Sequence, residues 1–307
     1  MANSDEFKEI SSLRECVQLA ESIVEESAKE YCINFSVKVR FPISLVLVSE
    51  LKDVEQLAED FQNPEKPDHL YLNHGEFITP LGVPHVIEEL RNKHNGNRAI
   101  ISLISQNDIL KKGDDPIPSF MILQFSLEAD NTLYVTTYFR ALEVSKFFRI
   151  NIEEIRIICN QIYSQLKKIE FVNLHVIAFR GYINPKINTL VRPKIESMRD
   201  GKILALLQDD VGQLADLLKE KLYDTTFVEN NSLKYIKENI NDPTVNKRIN
   251  GTLTNPHFKT LVDACLDSAE QLSSIRIISS HHTDIKPISD KYLENLSLLI
   301  AEVEKCR

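Results

Sequence analysis

The run from Pro118 to Ile152, PSFMILQFSLEADNTLYVTTYFRALEVSKFFRINI, limits the possible folds more than any other part of the chain. Phe120 to Leu127 and Leu133 to Phe139 are apolar runs rich in strand formers. Ala129-Asp130-Asn131 between them tolerates a turn, so the two runs read as a hairpin. Arg140 and Glu143 follow the second strand directly, where a rigid sheet delivers side chains to a cleft. Asn151 then precedes Ile152, Ile155, Ile158, Cys159, Ile162 and Leu166, which recur at helical spacing. On spacing alone these polar residues read first as an exposed ion pair and a helix cap, since surface pairs are common.

The segment resembles the core motif of the thymidylate synthase and pyrimidine hydroxymethylase family. In that family a Pro-Cys-His segment opens a strand ending in Gln-Phe. A hairpin then leads to an arginine, an aspartate and a closing Asn-Ile. Here Pro118-Ser119-Phe120 stands at the first place and Gln124-Phe125 at the second, while Phe139 to Val144 and Asn151-Ile152 complete the order. The resemblance runs from about Glu88 to Tyr182. It implies an α+β fold, a mixed sheet with flanking helices, and a homodimer formed through the sheet face.

The departures from that motif matter as much as the matches. The family's thiolate nucleophile is replaced by Ser119, and its histidine neighbour by Phe120. An unactivated hydroxyl is too weak to add to a pyrimidine ring, whereas a thiolate is not. Lys146-Phe147-Phe148-Arg149 replaces the family's Leu-Gly-Leu-Pro run, and no segment matches the folate-holding ones, so no cofactor is expected. Arg98 stands where the family carries two arginines that reach a partner's nucleotide phosphate, but Ala99 takes the second place. His175 matches a sugar-contacting histidine whose tyrosine companion is Ile177 here. The resemblance therefore implies a catalytically degenerate protein that binds a nucleotide or nucleotide-like ligand as a sensor or regulator. Its expected ligand-binding residues are Arg140, Asn151, Arg98, His175, Glu143 and Ser119, with no metal site. The alternative is a dimeric scaffold that recruits a protein partner through its C-terminal region.

Elsewhere the reading comes from pattern alone. A first helix is expected from Ser4 to about Tyr31, a strand run interrupted at Pro42, and helices over 51–61 and 83–93. HLYLNH at 69–74 reads as a chance echo of the family's His-x-Tyr segment. After Lys194 only helical patterns occur, giving an expected sheet domain at 1–194 and an all-helical domain at 195–307. His281-His282 with Asp284 reads as a loop rather than a metal site. The net charge of -9 argues against nucleic acid and anionic membranes as partners. No apolar run has the length of a membrane span, and the polar N-terminus is unlike a secretory signal. Five scattered cysteines without a CxxC pair fit a reducing cytoplasm.

Overall fold

A computed structural model describes residues 6–27, 29, 31–78, 81–110, 117–184, 192–222, 228–278 and 283–306. The chain is α+β and divides into two compact units.

The first unit is built on a six-stranded sheet. In chain order its elements are β1 (Lys8–Glu9), α1 (Leu13–Glu25), β2 (Tyr31–Pro42), α2 (Glu55–Gln62), α3 (Gly82–Asn92), β3 (Ile100–Ser102), α4 (Gln106–Leu110), β4 (Phe120–Leu127), β5 (Thr132–Glu143), α5 (Phe147–Gln165) and β6 (Phe171–Tyr182). The strand order is β1-β2-β6-β5-β4-β3. β4 and β5 are antiparallel, which is the hairpin read from the sequence. Asn131 closes its turn at φ 61°, a left-handed conformation that asparagine tolerates better than most residues. β5 and β6 run parallel, so a crossover must join them, and α5 supplies it.

The expected first helix is corrected. Ser4 lies outside the described residues, and the helix begins at Leu13, capped by the Ser12 hydroxyl accepting from the Arg14 amide. The preceding residues instead pair with β2 as β1. Asn151 is not a helix cap either, because α5 starts four residues earlier. The strand run expected over 33–48 is strand only as far as Pro42, where β2 ends; the residues after it form a 3-10 turn, Ile43–Val46, instead.

Alternation along the strands sorts the sheet into two faces. Leu133, Val135 and Phe139 of β5, with Leu174, Val176 and Ala178 of β6, join one core with Ile155, Ile158 and Ile162 of α5. The intervening residues form the other face. Register aligns them in rows: Arg40, Asn173, Tyr134 and Ser126; then Lys38, His175, Thr136 and Gln124; then Ser36, Ile177, Tyr138 and Ile122. Ile122 and Phe179 are 37% and 53% exposed, so this open face carries apolar side chains to solvent.

The second unit joins Asp68–Tyr71 to the described residues from 192 onward. Its helices are α6 (Asp200–Asp209), α7 (Val211–Lys219), α8 (Asn231–Asn241), α9 (Pro256–Ile278) and α10 (Ile285–Glu304). They close on a separate core that includes Ile203, Leu214, Ile236, Phe258, Val262, Leu296 and Leu299. His281 and His282 lie outside the described residues.

Candidate functional site: two separate polar environments

The six residues expected to share one cleft fall into different places. Asn151 is buried, and its amide donates to Glu154 Oε2 at 3.0 Å. The other carboxylate oxygen of Glu154 meets His74 Nδ1 at 2.7 Å, and both side chains are almost fully enclosed. Gln62 Nε2 donates to the Glu154 carbonyl at 2.9 Å. His74, Glu154 and Asn151 thus form one hydrogen-bonded chain between α5 and the loop after α2.

That loop is fixed from its main chain. The amides of His74 and Gly75 both donate to the Phe61 carbonyl, at 2.7 and 2.8 Å. A histidine oriented by a carboxylate is a common general base. The His74 ring, however, packs against Phe61 and Phe120 at centroid distances of 5.2 and 5.5 Å. Neither ring offers a proton to remove. One turn along α5, Glu153 and Arg156 form a buried ion pair, and Arg156 also donates to the Val46 carbonyl at 2.8 Å. Glu153 Oε2 has no hydrogen-bond partner among the described residues.

Glu143 is spent on the helix that follows it. Its carboxylate is 3% exposed and accepts from the amides of Lys146 and Phe147 at 2.8 and 2.9 Å, and from Asn184 at 3.2 Å. Free amides and the helix dipole both favour an anion there, so Glu143 anchors the start of α5.

Arg140 and His175 belong to the open sheet face. Arg140 is exposed and shares the outward parity of Tyr138. Its Nε and Nη2 donate to the carbonyls of Pro118 and Ile117 at 3.2 and 3.1 Å. Partial burial lowers its pKa from the ordinary arginine value. Ser119 accepts the Arg140 amide through its carbonyl. His175 Nε2 lies 2.9 Å from the Ser36 hydroxyl. Desolvation, followed by the Lys38 charge beside it, lowers the His175 pKa below 6.5. Arg98 stands apart, exposed in the turn before β3. Arg140 and Asn151 therefore occupy different environments.

The depressed His175 pKa has a definite sign. Between the folded value and 6.5 the native state binds fewer protons than the unfolded chain, so stability falls as pH drops through that window. An NMR titration of the His175 ring is expected to give a midpoint below 6.5. A midpoint at or above 6.5 contradicts the burial and the Lys38 contact.

Sequence reasoning missed His74 and Glu154. The first lay in a segment read as chance. The second sits in α5 beside Asn151 and Glu153, three polar residues within one turn of an otherwise apolar helix. That interruption was the available signal, because a buried carboxylate needs a partner.

No family model matches the chain, and no curated protein matches it. Among solved structures the chain is similar to the thymidylate synthase from T4 phage, with a TM-score of 0.39 and 14% sequence identity. The match covers 56% of this chain and 77% of that one, and it carries no inference about ligand or activity.

Proposed function

We propose that the chain is a non-catalytic nucleotide-binding protein, a sensor or regulator whose ligand lies on the open sheet face around Arg140 and His175. The observation that carries this reading is the chemistry of that face. Lys38, Arg40, Arg140 and His175 stand on it, and no carboxylate occupies the three aligned rows across β2, β6, β5 and β4. Glu9, beside Arg40 on the edge strand β1, is the nearest acid in register. An anionic ligand meets the Arg140 and His175 donors there, while the nearest carboxylates, Glu9 beside Arg40 and Glu128 on the Ser126 hydroxyl, lie at the opposite end of the strands.

The thiols support the non-catalytic half of the reading. Burial pushes the Cys16 and Cys159 thiols up to about 12, which leaves almost no thiolate at neutral pH. Cys32 donates to the Ile23 carbonyl at 3.4 Å. Titration calorimetry with pyrimidine mononucleotides is the test. Binding is expected in the high-micromolar to millimolar range, about tenfold weaker in Arg140→Ala. No heat from any mononucleotide at millimolar concentration would overturn it.

The second reading is a dimeric scaffold that recruits a protein partner through its helical region. Ile122 and Phe179 of the open sheet face favour it, being 37% and 53% exposed. Such side chains are typical of a surface that another protein covers. Sedimentation velocity separates the two readings: a dimer dissociated by Phe179→Asp supports the scaffold, and a monomer at all concentrations removes it.

A further inference from the structure

We infer that the open sheet face takes single-stranded nucleic acid rather than a lone nucleotide. The inference rests on the nucleotide reading above and extends it to a polymer. The net charge of -9 describes the whole chain, but charge is not spread evenly over it. The strands that carry the open face place Lys38 and Arg40 at one side and Arg140 at the far end of β5. Between them lie the aromatic rings of Tyr138 and Phe179, on the adjacent strands β5 and β6.

That layout matches what a single strand requires. Bases stack on aromatic side chains presented by neighbouring central strands, while cations at the margins hold the phosphates. Tyr138 is aligned with Ile177, two residues before Phe179, so the rings are diagonal neighbours. Diagonal positions on paired strands lie about 7–8 Å apart, which leaves each ring free to hold one base of a splayed strand. Tyr134 is excluded from this platform, because Phe7 packs edge-on against it at 6.0 Å.

Other occupants fit less well. Peptides dock on sheet edges or in grooves more than on the middle of a flat face. A second copy would bring an equally cationic face against this one, and like charges brought together are costly. A duplex hides its bases, so it would gain the phosphate contacts but not the stacking.

Fluorescence anisotropy of a labelled oligothymidylate of about a dozen nucleotides tests the inference. The full chain is expected to bind it at least tenfold more tightly than a mononucleotide. Three phosphate contacts predict a slope of log K against log salt of about -2, reduced by about 0.7 in Lys38→Gln. Phe179→Ala and Tyr138→Ala should each weaken binding by about tenfold or more. Phe179 is more than half exposed, so its replacement should leave the core intact, which circular dichroism of the variant checks. An oligonucleotide bound no better than a mononucleotide, a duplex bound equally well, or an unchanged Phe179→Ala variant would each overturn the inference while leaving the nucleotide reading standing. Binding of neither oligonucleotide nor mononucleotide overturns both. A dimer lost in Phe179→Asp, without oligonucleotide binding, assigns the face to a second copy.

Discussion

Replacing Lys221 by Met is expected to destabilise the helical unit by about 3–5 kcal/mol, the usual cost of stranding a buried charge. Lys221 and Glu196 form an ion pair whose side chains are 4% and 0% exposed. The ammonium also donates to the Glu229 carbonyl at 2.7 Å. Glu196 in turn accepts from the Ser232 amide at 3.1 Å and from the Ser232 hydroxyl, at the first turn of α8. Three segments distant in sequence are therefore tied through one carboxylate. Without the lysine that carboxylate stays buried, supported only by Ser232 and the helix N-terminus.

The pair itself contributes less than its removal costs, because desolvating both ions offsets most of their attraction. The double variant Lys221→Met with Glu196→Gln keeps an acceptor for Ser232 and removes the stranded charge. It should recover a large part of the loss. Urea denaturation followed by circular dichroism measures both. Two units need not unfold in one transition, so the helical unit is followed by its own midpoint. A cost below about 1 kcal/mol for Lys221→Met, or a double variant less stable than the single one, contradicts the assignment.

Gly75→Ala is the second large effect, expected to cost about 3 kcal/mol or more. A Cβ on Gly75 would lie 2.0 Å from the Asn63 carbonyl oxygen and 2.5 Å from that of Gln62. Both are main-chain atoms, so the loop must move. Its movement breaks the paired amide bonds to Phe61 and draws His74 away from Glu154, leaving that carboxylate with Asn151 alone. Gly201→Ala is the control. It stands at the start of α6 with nothing within 4 Å of the added carbon, and its stability should change by no more than about 1 kcal/mol. Equal stabilities for the two variants would show that the loop gives way freely and that the His74 network is not rigid.

The hairpin was legible because two strand-forming runs flank Asp130-Asn131, and turn chemistry is local. α5 was legible by its apolar spacing, although its start was read five residues late, at Ile152 instead of Phe147, because Phe147 and Phe148 carry no cap signal. β1 was hidden because two residues pairing with a distant strand leave no periodic trace. For the candidate site, residue types were legible and their company was not. Arg140 and Asn151 stand eleven places apart, yet a strand end and a helix turn carry them into different surroundings.

Sequence alone determined which residues could form strands and helices, and which side chains of a strand share a face. It did so because backbone periodicity depends on near neighbours only. Tertiary structure decided which faces meet. The Glu154 carboxylate found His74 from 80 positions away. Strand order and register set Lys38 beside His175 and His175 beside Thr136, gathering cations and aromatic rings from separate strands onto the sheet face opposite the core. Pairing register is fixed by burying one face of the sheet, and the composition of the opposite face follows from it without any local signal.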